Sequence, residues 1–217
     1  MPGLRSFGPA RLGLGILAQS RRIGILNGKL TAAGDSNTAI PGQNGTDSWV
    51  TRLIADAPLL TCVSLGIGGM TVADMDTEKS NSNPAVGVYV NFDGAKPFNV
   101  ATLMGGTNDI ATTSDTAATM YSHYTSWNAG VKGANPSCLT IAMTVLWGSN
   151  HNAGQLVRLD AFNALIMANA AGFNAVFDAY TALGTNGANF SDGYHTSTAG
   201  AQLISTGMVA KLLTIIP

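Results

Sequence analysis

The sequence predicts an α/β fold with a parallel sheet at its centre. Apolar runs rich in β-branched residues alternate with longer segments that permit helices, and this alternation is typical of βαβ units. The 217 residues are enough for one domain with a sizeable core, and few for two. We predict strands over 29–34, 61–66, 98–104, 138–146 and 174–179. The predicted helices cover 47–57, 71–76, 115–130, 155–171 and 198–215.

Local signals support individual elements. The first three predicted strands run into glycine at their carboxyl ends, in "AAGDS", "SLGIGG" and "LMGGT". The last helix has a core-facing stripe, because apolar residues recur one turn apart at Ile204, Met208 and Leu212. Segment 77–97 is rich in Asn, Ser, Pro and Gly, and we expect a small hairpin within it around Gly87 to Phe92.

The sequence shows no internal repeat and no linker, so we predict a single domain over residues 23–217. Residues 1–22, "MPGLRSFGPARLGLGILAQSRR", are predicted to form an N-terminal arm or extension. A signal peptide is the alternative, although the apolar run is short and "LAQS" is a poor cleavage site. We find no stretch of the sequence that could form a transmembrane helix.

Composition excludes some partners and suggests a location. A formal net charge of −1 and a pI near 6.2 leave no basic face for nucleic acid. Only 11% of the residues are charged, so solubility must depend on small neutral polar side chains. This composition favours a secreted protein, or one on a virion or cell surface, over a cytoplasmic one.

Ser36 lies where the apolar run of "LTAAGDSNTAI" turns polar, which would hold its hydroxyl at the rim of the sheet. A serine hydroxyl is a weak nucleophile and needs a base, and the base needs a group that fixes its tautomer. "FSDGYHTSTAG" near the C-terminus supplies both groups as His195 and Asp192, three residues apart. The sequence therefore predicts a catalytic triad of Ser36, His195 and Asp192.

Candidate donors for an oxyanion hole follow the first three strands. They are the backbone N–H groups of Ser36 and Gly69 and the side-chain amide of Asn108. Because ligands bind outside the carboxyl ends of parallel strands, we expect these loops to converge. Such donors stabilise the charge that develops on a carbonyl oxygen under attack.

The order of these motifs resembles the SGNH hydrolases, also called the GDSL esterase/lipase family. Each block alone is weak, but four in order over nearly the whole chain after residue 30 form a strong signal. The resemblance implies a flavodoxin-like three-layer α/β/α sandwich with a five-stranded parallel sheet. It also implies Ser36 as nucleophile, His195 as base, Asp192 as its partner, and Ser36, Gly69 and Asn108 as oxyanion donors. The matching blocks are Gly34-Asp35-Ser36, Gly69, Gly106-Thr107-Asn108-Asp109 and Asp192-Gly193-Tyr194-His195.

Two positions depart from the family pattern. Asn37 replaces a leucine that often follows the serine, and Thr196 replaces a proline that often follows the histidine. Neither change removes a group that the reaction needs. The G-x-S-x-G elbow of α/β-hydrolases is absent around Ser36, which disfavours that class. We expect Asp35 to bond loop backbone, and Asp109 to cap the following helix or brace the Asn108 loop.

Further residues near the predicted cleft are candidate substrate contacts. Trp147 is predicted to end the fourth strand, where it lines the pocket or simply packs. His151 follows that strand and Tyr194 precedes the predicted base, so both are candidates as well. His123 lies in a predicted helix and is interpreted as a surface or groove residue. The His, Asp and Cys residues show no metal-ligand spacing, so we predict no metal and no cofactor.

The chain has two cysteines, Cys62 and Cys138, at the starts of predicted strands two and four. In the strand order 2-1-3-4-5 these strands are three spacings apart, roughly 14 Å. A disulfide needs Cα atoms within about 7 Å. We therefore predict two unpaired thiols.

Together these features predict a serine esterase that hydrolyses short-acyl carboxylic esters through an acyl-enzyme. Acetyl esters on carbohydrate are the favoured substrates, since the chain has few charges and several aromatic residues at the predicted rim. The alternative is a non-catalytic carbohydrate-binding or virion-surface module on the same frame. The low charge and the N-terminal arm support that alternative, whereas the presence of every group that the reaction needs argues against it.

Overall fold

A five-stranded parallel sheet forms the centre of the structure, a computed structural model that describes residues 26–39 and 48–216. The strand order is β2-β1-β3-β4-β5, and every neighbouring pair is parallel. This is the predicted flavodoxin-like order. The strands are β1 Lys29–Gly34, β2 Thr61–Gly66, β3 Asn99–Met104, β4 Leu139–Met143 and β5 Ala175–Phe177.

Helices cover both faces of the sheet, which gives the predicted three-layer α/β/α sandwich. Within the described residues they are α1 Trp49–Asp56, α2 Val72–Glu78, α3 Thr107–Thr112, α4 Ala117–Ala134, α5 Ala153–Ala168, α6 Ala179–Leu183 and α7 Thr198–Ile215. Helices α1, α6 and α7 pack into one apolar core, and α2, α3, α4 and α5 into the other. The predicted stripe of α7 is confirmed, because Ile204, Met208 and Leu212 are all fully buried in the first core.

The fourth and fifth strands are shorter than predicted. The fourth strand ends early because of Asn163 on α5. Its side-chain amide accepts from the Val145 N–H at 2.8 Å and donates to the Val145 C=O at 2.9 Å. These bonds replace a strand neighbour, so β4 ends at Met143 and not at 146. Trp147 therefore lies in the loop after β4 and not at the end of the strand.

The predicted hairpin around Gly87 to Phe92 is wrong. Those residues contain a short 3-10 helix, Tyr89–Asn91, and no strand. The buried Asn91 side chain donates to the carbonyls of Pro84 and Gly87, both at 2.8 Å. These bonds close the chain into a compact turn, which satisfies backbone groups that a hairpin would have paired between strands.

The structure also places three single side chains for which the sequence made predictions. Cys62 and Cys138 are both unpaired thiols, as predicted, and burial raises the pKa of each to about 12. His123 is half-buried on α4, with its Nδ1 atom 3.3 Å from an oxygen of Asp76 on α2. The sequence spacing had offered this histidine no carboxylate partner.

The predicted N-terminal arm, residues 1–22, and its signal-peptide alternative lie outside the described residues. The single domain over 23–217 stays a prediction. Within residues 26–39 and 48–216 no helix is long and apolar enough to cross a membrane.

Candidate active site

Three loops leave the sheet at the same level, after β1, β2 and β3. The parallel register pairs Gly34 with both Gly66 and Met104, the last residues of these strands. Ser36 follows β1 by two residues, Gly69 follows β2 by three, and Asn108 follows β3 by four. The sheet therefore brings the first three sequence blocks to one edge, as the strand assignments had predicted.

Ser36 lies in a tight turn that is fixed to the centre of the sheet. The carbonyl of Asp35 accepts from the Thr38 N–H at 3.0 Å, and its carboxylate accepts from the Asn37 N–H at 2.9 Å. On the β2 side, Ser64 donates its hydroxyl to the Thr38 carbonyl at 2.6 Å. Only 7% of Ser36 is exposed. The turn therefore holds the serine in a nearly buried position.

The structure brings Ser36, His195 and Asp192 together. Ser36 Oγ lies 2.9 Å from His195 Nε2, although the two residues are 159 positions apart. On the other side of the ring, His195 Nδ1 lies 2.7 Å from Asp192 Oδ2. The carboxylate can only accept, so Nδ1 carries the proton of the neutral ring and Nε2 is free to accept from the serine hydroxyl.

The segment Ser191–Thr196, here called the histidine loop, lies between a 3-10 helix (Gly187–Asn189) and α7. Asp192 Oδ1 accepts from the backbone N–H groups of His195 at 2.9 Å and Tyr194 at 3.1 Å, which folds the loop into a turn. Asn150 donates its side-chain amide to the Asp192 carbonyl at 3.0 Å. The loop is therefore shaped by the same carboxylate that faces the histidine ring.

Gly69 and Asn108 have features that suit an oxyanion hole. Gly69 has a φ of +85°, which favours glycine, and a Cβ atom there would meet nothing within 4 Å. The backbone is therefore open to a ligand at this point. Asn108 donates one side-chain N–H to the Met70 carbonyl at 2.8 Å. This bond orients the amide and leaves its second N–H available.

Two buried aspartates connect the three loops. Asp35 accepts hydrogen bonds from Thr107 at the start of α3, so it joins the β1 loop to the β3 loop. Asp109 lies inside α3 and accepts from the Val72 N–H at 3.1 Å, which joins the β3 loop to the start of α2. It therefore braces the Asn108 loop, which is one of the two alternatives that the sequence left open.

Burial of these carboxyl groups disfavours their charged forms. It raises the pKa of Asp35, against hydrogen bonds from Asn37 and Thr107, which lower it. Burial likewise raises the pKa of Asp109, to about 6, against the Val72 hydrogen bond.

The predicted substrate contacts differ in how they are placed. Trp147 is half-buried and packs edge-on against Phe190, with ring centroids 5.7 Å apart. Tyr194 is half-buried and packs edge-on against His151, with ring centroids 5.0 Å apart.

His151 itself is 7% exposed, and neither of its ring nitrogens has a hydrogen-bond partner. Burial, followed by the charge of Arg158, lowers its pKa. This placement favours packing behind Tyr194 over direct contact with a substrate.

Asn37 is the site residue that sequence reasoning missed. It donates its side-chain amide to the Tyr194 carbonyl at 3.3 Å and accepts from the Thr196 N–H at 3.1 Å. The sequence marked both Asn37 and Thr196 as departures from a family pattern. Two departures in one motif set could have suggested that these residues contact each other, but only the fold shows that they do.

No group of three or more His, Cys, Asp or Glu side chains that could hold a metal ion occurs in the part of the chain that the structure describes.

Solved structures share this fold. A lipolytic protein of the G-D-S-L family from Veillonella parvula is similar with a TM-score of 0.66 and 20% identity, over 84% of this chain and 96% of that one. A carbohydrate esterase family 3 protein from Talaromyces cellulolyticus has a TM-score of 0.62 and 20% identity, over 87% and 97%. An active site mutant of a family two carbohydrate esterase from Clostridium thermocellum has a TM-score of 0.62 and 17% identity, over 87% and 64%.

Sequence comparison gives the family directly. A search of curated proteins found no match. The sequence model of the GDSL-like Lipase/Acylhydrolase family matches residues 32–203, which include all four blocks and most of the chain. The chain therefore belongs to the GDSL-like Lipase/Acylhydrolase family and is a carboxylic ester hydrolase.

Proposed function

We propose that the protein is a serine esterase that cleaves short-acyl esters through an acyl-enzyme, with Ser36 as nucleophile. The observation that carries this proposal is the continuous hydrogen-bonded chain from Ser36 Oγ through the His195 ring to Asp192 Oδ2, at 2.9 and 2.7 Å. The first distance lies in the range in which a base can take a proton from a nucleophile, and the second lets the carboxylate orient that base.

In the first half of the reaction, Ser36 Oγ attacks the ester carbonyl carbon while His195 Nε2 takes the hydroxyl proton. Asp192 orients the ring and stabilises the imidazolium that forms. His195 then gives the proton to the leaving alcohol, and the acyl group stays on Ser36. In the second half, His195 takes a proton from water as its oxygen attacks the acyl carbon. The bond between Ser36 Oγ and the acyl carbon then breaks, His195 returns the proton to Oγ, and the carboxylic acid leaves.

The negative charge on the carbonyl oxygen would be stabilised by the Ser36 and Gly69 N–H groups and the Asn108 amide. Support comes from the positive φ and the open space at Gly69 and from the fixed orientation of the Asn108 side chain. Donors that are already oriented need no reorganisation when the charge develops.

For the substrate we propose acetyl or similarly short acyl groups, carried on carbohydrate. Two of the structurally similar proteins are carbohydrate esterases by name, and the aromatic rings of the half-buried Trp147 and Tyr194 would suit a neutral sugar ring. His151 is the weaker of the predicted contacts because it is largely buried.

The test is hydrolysis of p-nitrophenyl esters with acyl chains from acetyl to lauryl, by wild type and Ser36→Ala. We expect the highest kcat/KM at the shortest chains and loss of turnover in the variant. Acetate release from an acetylated oligosaccharide then tests the carbohydrate assignment. A maximum at long chains would overturn the short-acyl proposal. No turnover of any ester by a folded wild type would favour the non-catalytic binding module.

A further inference from the structure

We propose that Asn37 is a positioning residue that keeps His195 in reach of the nucleophile throughout the catalytic cycle. This inference rests on the proposed function, because it assigns a role within the same triad. The structural feature behind it is a single side-chain amide that binds the backbone on both sides of the histidine.

Asn37 contacts the histidine loop at two points. Its Nδ2 atom donates to the carbonyl of Tyr194 at 3.3 Å, and its Oδ1 atom accepts from the N–H of Thr196 at 3.1 Å. These are the residues directly before and after His195. An amide that binds both neighbours of a residue fixes the position and the tilt of the backbone between them.

The other end of Asn37 is fixed to the nucleophile. Its backbone follows Ser36 directly, and its N–H donates to the buried carboxylate of Asp35 at 2.9 Å. Only 3% of Asn37 is exposed, so water does not compete for these bonds. The path from Ser36 to His195 through Asn37 therefore consists of one peptide bond and two hydrogen bonds.

This path differs from the direct Ser36–His195 hydrogen bond in one respect that matters for the reaction. In the acyl-enzyme, Ser36 Oγ carries the acyl group and has no proton to donate, so the direct bond is absent. The bonds from Asn37 do not involve that atom and persist. Asn37 would thus hold His195 in place while the ring activates water.

The test compares Asn37→Leu with wild type in p-nitrophenyl acetate hydrolysis. Leucine has a similar size and makes neither bond. A misplacement of about 1 Å at a catalytic group can cost about 10²-fold in rate, so we expect kcat to fall about 10- to 100-fold with KM within about twofold of wild type. The rate of fluorophosphonate labelling of Ser36 should fall as well, because it also depends on His195.

A matched control is Asn91→Leu. Asn91 is a buried asparagine, 6% exposed, whose side chain also makes two hydrogen bonds to backbone, at Pro84 and Gly87. We expect both variants to unfold at a lower temperature than wild type, and only Asn37→Leu to lose kcat. If Asn37→Leu does not fold, Asn37→Asp retains the acceptor for Thr196 and loses the donor to Tyr194, and its kcat should lie below that of wild type.

A kcat for folded Asn37→Leu within twofold of wild type would overturn the inference, and so would an equal loss of kcat in Asn91→Leu. If wild type hydrolyses esters and Ser36→Ala does not, such a result leaves the proposed function intact. If wild type and Ser36→Ala are equally inactive, the proposed function itself fails.

Discussion

The turn that carries Ser36 and the loop that carries His195 are held in opposite ways. The turn continues β1, the strand between β2 and β3, and Ser36 is 7% exposed. The histidine loop contains no strand pairing beyond one isolated bridge, and the Asp192 side chain is 37% exposed. The sheet fixes the first region, whereas side-chain contacts fix the second.

This contrast indicates where the site is vulnerable. Changes to the packed side chains beneath the turn must disturb the core before they move the serine, so they should act mainly on stability. Asn37 is the exception in the turn, because its side chain binds the histidine loop. Changes in the loop need to break only a few partly exposed hydrogen bonds before they move the histidine, so they should act mainly on rate. Single substitutions in and around the two regions should separate effects on rate from effects on stability.

Among changes in the loop, replacement of Asp192 should have a large effect, exceeded only by loss of His195 itself. Asp192→Ala removes both the partner of the His195 ring and the acceptor that folds the turn, and we expect kcat to fall about 10³- to 10⁴-fold. Asp192→Asn can still accept from the Tyr194 and His195 N–H groups but lacks the charge. Circular dichroism and p-nitrophenyl acetate kinetics of both variants would measure this. Activity near that of wild type in either variant would remove Asp192 from the mechanism.

Asn108→Ala should have a smaller effect on rate and a small effect on stability. It removes the proposed side-chain donor to the oxyanion, and loss of one such donor typically costs about 10²- to 10³-fold in kcat. Ser36 and His195 would keep their positions, so their hydrogen bond should persist. The measurement is kcat and KM with p-nitrophenyl acetate. A rise in KM with unchanged kcat would instead make Asn108 a ground-state binding group.

The buried carboxyl group of Asp109, which braces the Asn108 loop, should affect the stability of the protein and the dependence of that stability on pH. Burial raises the pKa of this carboxyl group from 3.8 to about 6. When the pKa of a group is higher in the folded protein than in the unfolded chain, the group contributes stability at pH values below its unfolded pKa. That contribution is lost as the pH rises through its folded pKa. Between pH 5 and pH 7 the free energy of unfolding of wild type should fall by about 1 kcal/mol relative to that of Asp109→Asn, which cannot ionise at this position.

Thermal unfolding of both proteins at pH 5 and pH 7 checks this expectation. Asp35 also has a pKa raised by burial, but it is present in both proteins, so its contribution largely cancels in the comparison. Parallel changes of unfolding temperature with pH in the two proteins would contradict the expected role of Asp109.

His151→Phe should have the smallest effect. Both ring nitrogens of His151 are buried without a hydrogen-bond partner, and burial lowers its pKa, which keeps the ring neutral. Phenylalanine would retain the edge-on contact with Tyr194 without an unpaired polar atom. We expect kcat and KM within about threefold of wild type and an equal or higher unfolding temperature. A tenfold rise in KM would instead support the direct substrate contact that the sequence suggested.

Much of this architecture could be predicted because its signals are local. Strands β1 and β2 end in glycine at the residues predicted, and the α7 stripe is buried as its spacing required. That the loops carrying Ser36, Gly69 and Asn108 leave the sheet at one edge followed from the rule that parallel strands end at one edge. Cys62 and Cys138 were predicted to be unpaired from the strand order alone, and they are.

The features that could not be predicted depend on contacts between distant segments. The end of β4 is set by the Asn163 amide from α5, and the turn at 84–91 is closed by Asn91. Asn37 meets the histidine loop across 157 residues of sequence. A polar side chain in the sequence does not reveal which backbone group it will satisfy, because that depends on the finished packing.

The most direct test of the central claim is to locate a covalent adduct. The enzyme would be treated with a fluorophosphonate, and the modified peptide would be identified by mass spectrometry for wild type and His195→Ala. We predict a single adduct on Ser36 that forms rapidly in wild type and at least about 10³-fold more slowly in His195→Ala. An adduct on another serine, or equal labelling rates in the two proteins, would contradict it.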